Sequence, residues 1–139
     1  MEYNGLKSDL NSLAKFVFIY ETEIKKMVNE TDFKQFNEQA FYSFKHKIQA
    51  KIKNATINEI KNSPESSKQT LYFTKQKNQI LDFCRHLRNA FSHGLLRKES
   101  KKMIIIDKNR GNCTSKGYVE YDITKKFIVE IIKEFENNR

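Results

Sequence analysis

The chain has no tryptophan, one proline, four glycines and two cysteines in 139 residues. Each shortage excludes something. All-β architectures place glycine and proline in their many turns, so this supply argues against a sandwich or barrel. Two cysteines do not make a disulfide framework. Cys84 falls on an apolar helix face and Cys113 in a turn region, and both are expected to be reduced. No run approaches the roughly 18 consecutive apolar residues of a membrane span. Met1-Glu2-Tyr3-Asn4-Gly5 does not read as a signal peptide, which points to the cytoplasm. There is no G-x-S-x-G elbow, no G-x-x-x-x-G-K-[ST] loop and no Cys/His spacing for a metal, so no metal or cofactor is expected. His46 stands alone and reads as a surface residue.

What the chain does have is aromatic bulk and positive charge. Apolar residues make up 38% and charged residues 31%, with 11 Phe and 6 Tyr. That suffices for one core, and the length suits a single domain, 1–139. The net charge of +9 is uneven. Residues 1–62 carry 10 Lys+Arg against 8 Asp+Glu, and residues 63–139 carry 16 against 9. From Arg85 to Arg110 there are eight basic residues and two acidic ones. A solvated surface accounts for such an excess as readily as a polyanion-binding face does.

Hydrophobic spacing predicts helices. Leu6, Leu10, Leu13, Val17, Tyr20, Ile24 and Met27 alternate steps of four and three, which predicts a helix over 6–28. Phe16, Phe18 and Ile19 widen its apolar face beyond a coiled-coil seam. A second helix is predicted from a Thr31 or Asp32 cap to Asn62, through Phe33, Phe36, Phe41, Phe44, Ile48 and Ile52. Pro64 and its serines break the chain, and a third helix is predicted over 68–93. Met103–Ile106 and Gly117–Tyr121 flank a turn at Lys108–Asn112, which predicts a β-hairpin near 102–121. Its tip carries Lys108, Arg110 and Lys116, within reach of an RNA backbone, although a solvated turn is the plainer reading. Thr124 reads as the cap of a last helix to about Glu136, with Ile123 and Ile128 as its staple. The fold expected is all-α: a four- to five-helix up-and-down bundle with a short β-hairpin inserted between the third helix and the last.

The third helix ends in the stretch around which the functional reading turns. Ile80, Cys84, Leu87 and Phe91 lie within an arc of about 60° at about 100° per residue. Arg85, Arg88, Asn89, Ser92 and His93 lie off that face. Asn89 and His93 are four apart, hence neighbours, and Gly94 is the expected C-cap. A helix end packed by one face thus offers a guanidinium, a carboxamide and an imidazole on the other. An Arg and a His at a helix C-terminus often do no more than complement the helix dipole.

Arg88-Asn89-Ala90-Phe91-Ser92-His93 resembles the Arg-x4-6-His motif of the HEPN superfamily, including the polar residue that often follows the Arg. The resemblance is closest over residues 85–94 and extends loosely to the order of helices. It implies an all-α bundle and, in many members, a metal-independent ribonuclease. It also implies that two copies pair, so that two Arg88 and two His93 share one cleft. A Tyr that toxin members carry two residues after the His, where a nucleotidyltransferase partner modifies it, is Leu95 here. An antitoxin of that kind is therefore not assumed, although some regulating antitoxin is possible. The chain looks more like small stand-alone members of bacteria and mobile elements, thought to cut RNA in defence or growth arrest.

Such a site needs no metal, because RNA carries its own nucleophile, the ribose 2′-hydroxyl. A general base, a general acid and a cation over the developing phosphorane suffice. Histidine fills either proton role, and arginine offers phosphate a fixed planar charge. The expected catalytic residues are Arg88, Asn89 and His93, with Asn89 orienting the imidazole or touching phosphate. Arg85, Ser92, Arg97, Lys98, Lys101 and Lys102 are expected to contact RNA. His86, seven residues before His93 on nearly the same side of the helix, is a lesser candidate to help and reads more readily as a bystander. One Arg and one His per helix are too few for separate acid and base, so a homodimer is expected. The alternatives are an inactive HEPN module that binds RNA or a nucleotide, and a regulatory protein-interaction dimer.

Overall fold

Residues 102–120, where β-branched runs and alternation replace helical spacing, are where the architecture departs from a bundle. A computed structural model describes residues 2–28, 44, 46–47, 52–62, 71–77 and 79–137. Among the described residues six strands are formed: β1 (Ile52–Asn54), β2 (Leu71–Phe73), β3 (Leu96–Glu99), β4 (Lys102–Ile105), β5 (Asp107–Asn109) and β6 (Asn112–Glu120). They make one sheet in the order β1-β2-β6-β4-β3, with β5 also on β6. Of these pairings β1–β2 is parallel and the others are antiparallel. The α-helices among the described residues are α1 (Leu10–Thr22), α2 (Ile57–Asn62), α3 (Gln79–Ser92) and α4 (Tyr121–Asn137).

The all-α helical bundle is therefore wrong, and the chain is mixed α/β. The expected hairpin is one part of a six-stranded sheet. Most of the expected second helix lies outside the described residues, but Ile52–Asn54 is a strand and Thr56 begins a new helix. The Thr56 hydroxyl accepts from the Glu59 amide (3.2 Å), and the Glu59 carboxylate accepts from the Thr56 amide (3.1 Å). This is a reciprocal capping box. Within the span expected for the third helix, Leu71–Phe73 pair with β6 and the helix starts only at Gln79. Tertiary strand pairing overrides helical spacing here, because three-residue strands are too short to show alternation. The expected first helix is a 3₁₀ turn, Lys7–Asp9, then α1, then a second 3₁₀ turn, Ile24–Lys26. The last helix starts at Tyr121, so Thr124 is not its cap and the expected staple falls with it. The Thr124 hydroxyl instead donates to the Glu120 carbonyl at 2.9 Å.

One sheet face is the core face. Ile52, Leu71, Phe73, Leu96, Met103, Ile105 and Val119 are buried there with Leu13, Phe16, Ile80, Phe83, Leu87, Phe127 and Ile131 of the helices. The Phe44 ring stacks on Phe127 with centroids 3.8 Å apart. Burying one such side chain is worth about 2–3 kcal/mol, against less than about 1 kcal/mol for an exposed ion pair. The core thus holds the fold, and the surface charges are available for other work. Strand register puts Arg97, Ile104 and Tyr118 in one row on the opposite face. Among the described residues no helix is long and apolar enough to cross a membrane.

Helix α3 is fixed at both ends. At its start the Gln76 and Lys77 amides donate to Asp82, and the Lys77 ammonium donates to the carbonyls of Lys25 and Met27, each at 2.8 Å. At its end Leu95 N–H reaches the Ala90 carbonyl (2.8 Å) and Gly94 N–H reaches Phe91 (3.1 Å), with Gly94 at φ +72°. This is a Schellman motif, and it makes His93 the C-cap residue, with β3 starting three residues later.

Candidate functional site

The site is built where the end of α3 meets β5. A β-bulge between Asp107 and Lys108 leaves Thr114 of β6 without a partner on β5. Bulges re-aim side chains, and this one accompanies an Asp107 that is buried against α3. The Thr114 hydroxyl donates to the Asp107 carbonyl at 3.3 Å.

Two α3 side chains and the C-cap His93 converge on the Asp107 carboxylate. His86 Nδ1 lies 3.0 Å from Oδ2, and Asn89 Nδ2 donates to the same oxygen at 3.1 Å. His93 Nδ1 lies 3.6 Å from Oδ1, an ion-pair separation rather than a hydrogen bond. Burial alone would raise the Asp107 carboxyl, but the hydrogen bonds from His86 and Asn89 outweigh it and hold the group below the ordinary carboxylate range. The two histidines differ sharply in exposure: the His86 side chain is 0% exposed and that of His93 is 50%. His86 stacks on Phe73 with centroids 5.4 Å apart, and its Nε2 faces the Thr74 carbonyl at 3.2 Å and the Thr74 hydroxyl at 3.5 Å.

Asn89 also links Asp107 to Arg88. Its Oδ1 accepts from Arg88 Nη1 at 2.9 Å, while Arg88 Nη2 meets Glu21 Oε1 of α1 at 2.7 Å. Arg88 Nε is buried without a hydrogen-bond partner. A continuous path therefore runs Glu21–Arg88–Asn89–Asp107, with an imidazole on either side of the carboxylate.

The chain matches no protein-family model, no curated protein and no solved structure.

Of the residues singled out in the sequence, Arg88, Asn89 and His93 come together. Asn89 holds Arg88 and Asp107 through its side chain and meets His93 only through the backbone, its carbonyl accepting from the His93 amide at 2.9 Å. Arg85 turns elsewhere: its Nη2 donates to the Thr74 carbonyl (3.1 Å) and approaches Asp82 Oδ1 (3.5 Å). It lines a cavity of about 250 Å³ between α1 and the start of α3, with Tyr20, Lys25 and Lys77. Ser92 is exposed beside His93. Arg97 pairs with Glu99 (3.6 Å), Lys98 lies over the Tyr121 ring and Lys102 over Tyr118, and Lys101 is exposed in the β3–β4 turn. Lys108 and Arg110 flank the hairpin tip, but Lys116 lies within β6 opposite Tyr72. Burial pushes the Cys84 thiol up, so it is inert packing. Among the described residues no group of three His, Cys, Asp or Glu is placed to hold a metal ion.

Sequence reasoning missed Asp107 and mistook His86. Asp107 falls between the Ile104–Ile106 run and the turn at Lys108–Asn112, where no local pattern marks it. One signal was available: a carboxylate closing a β-branched strand is a costly residue to bury, and it demands a donor such as His86 or Asn89.

Proposed function

We propose that this chain is a metal-independent endoribonuclease that cleaves RNA by 2′-hydroxyl attack at a site shared by two copies. The observation that carries the reading is a half-exposed His93 imidazole set against a buried Asp107, with Arg88 on the same helix end. His93 takes or gives the proton, Arg88 faces the phosphorane charge, and Asn89 supports both through Arg88 and Asp107. His86 is fully buried and cannot reach substrate. A separate acid and base therefore require a second His93, which a homodimer supplies. Products are a 2′,3′-cyclic phosphate and a 5′-hydroxyl end.

The motif over 85–94 supports a HEPN-type active helix, although the α/β architecture departs from that superfamily's bundle. The same resemblance supports a role in defence or growth arrest, for which we propose a cytoplasmic setting. The test is RNA cleavage in excess EDTA with analysis of the new ends. Cyclic-phosphate ends formed in EDTA support the reading; metal-dependent cutting that leaves 5′-phosphates contradicts it.

One observation favours a second reading. Glu21 occupies Arg88 at 2.7 Å, so the phosphate ligand of the site is already paired in the single chain. A catalytically silent module that binds RNA or a nucleotide would show affinity that falls with salt and no cleavage.

A further inference from the structure

The Asp107 carboxylate uses its two oxygens differently. Oδ2 takes two donors from α3, His86 Nδ1 at 3.0 Å and Asn89 Nδ2 at 3.1 Å. Oδ1 faces His93 Nδ1 at 3.6 Å. An ionised carboxylate only accepts. A lone pair on His93 Nδ1 would face it as acceptor against acceptor, whereas an N–H there turns the approach into attraction. Catalytic hydrogen bonds are often long before substrate arrives, and 3.6 Å needs only a small side-chain rotation to close.

We infer that Asp107, held in place by the buried His86 and by Asn89, imposes the Nδ1–H tautomer on His93 and leaves its Nε2 lone pair open to substrate. Asp107 and His86 are thus positioning residues, acting through His93. Histidine free in water favours the opposite tautomer, with the proton on Nε2, so the effect is a reversal. His86 matters because it fixes which carboxylate oxygen is left over, and its burial against Phe73 keeps that choice from changing. The consequence for chemistry rests on the cleavage reading. The 2′-hydroxyl proton passes to His93 Nε2 as the 2′-oxygen–phosphorus bond forms. The 5′-oxygen–phosphorus bond breaks, and the 5′-oxygen takes its proton from the second copy's acid. The imidazolium left behind stands beside the Asp107 charge.

The experiment is a long-range nitrogen–proton correlation spectrum of the imidazoles in the full chain at about pH 8.5, above the ordinary histidine range. His93→Gln assigns the signals. The inference expects the pyridine-type nitrogen of His93 to be Nε2. Asp107→Asn is the second arm. Its carboxamide oxygen keeps the two donors on the Oδ2 side, so its NH₂ faces His93 Nδ1 and drives the proton to Nε2. RNA cleavage then falls about 100-fold or more. A native His93 protonated mainly on Nε2 overturns the inference without any variant having to fold. An unchanged tautomer in Asp107→Asn overturns it as well. The nuclease reading fails separately: native protein with the Nδ1–H tautomer that cuts no RNA upholds the positioning and ends the nuclease.

Discussion

Arg88 of α3 is clamped by Glu21 of α1, Nη2 to Oε1 at 2.7 Å, and steadied by Asn89 on its other amino group. A phosphate arriving at Arg88 must compete with a carboxylate already in place. Glu21→Gln removes the competing charge and keeps the shape. Both side chains are about a third exposed, which limits the pair to less than about 1 kcal/mol. RNA binding by Glu21→Gln should tighten about two- to fivefold in a fluorescence titration at fixed salt. Unchanged or weaker binding would show that Arg88 does not meet phosphate.

Arg88→Lys keeps the charge and loses the fork. Lysine is a compact point charge and cannot hold Asn89 and a phosphate together in a fixed planar fork. Cleavage by Arg88→Lys should fall about tenfold or more, mostly in kcat, because the interaction is made with the developing charge. A loss confined to KM would make Arg88 a binding residue only.

The low-lying Asp107 carboxyl makes part of the stability dependent on pH. Its folded value is depressed below the unfolded one, so its contribution is fully present above the ordinary aspartate value of about 4. It is lost as pH falls through the folded value. Urea midpoints taken from pH 7 down to about 3 should fall more steeply for the native chain than for Asp107→Asn. Parallel curves would mean that His86 and Asn89 do not hold the ionised form.

Gly94 stands at φ +72° with nothing within 4 Å of an added Cβ. The penalty for a side chain there is purely conformational. Gly94→Ala should cost about 1–2 kcal/mol, and Gly94→Asn less, since asparagine tolerates the left-handed region. The same change frays the turn that places His93, so cleavage should fall with stability. Denaturant midpoints and rates on the two variants check both.

Arg97 and Lys101 are exposed, as is Lys102, while Lys98 and Lys102 lie over tyrosine rings. If the first two track the RNA backbone, each alanine variant should lower the slope of log affinity against log salt by about 0.7. An unchanged slope would move the RNA path off the β3–β4 hairpin.

The motif helix was legible because its period is long and its cap is a glycine: Ile80, Cys84 and Leu87 point inward and Gly94 ends it. The sheet was not. Ile52 continued the spacing of four from Ile48, and Leu71–Phe73 sat in a stretch without glycine or proline, so both strands were absorbed into expected helices. The Thr56–Glu59 capping box did announce a helix start in the middle of one of them. The placement of Arg88, Asn89 and His93 at one helix end was legible from their spacing. Asp107 was not, because its role depends on a bulge and on the packing of β5 against α3, neither of which leaves a local pattern. His86 looked idle for the same reason: its partner is 21 residues away in sequence.

The most direct measurement is the rate of RNA cleavage in excess EDTA by the native chain and by His93→Ala, expressed and purified side by side. Cutting by the native chain, with a rate reduced about 100-fold or more in His93→Ala, is what this account predicts. Equal cutting by both would place the activity elsewhere and contradict it.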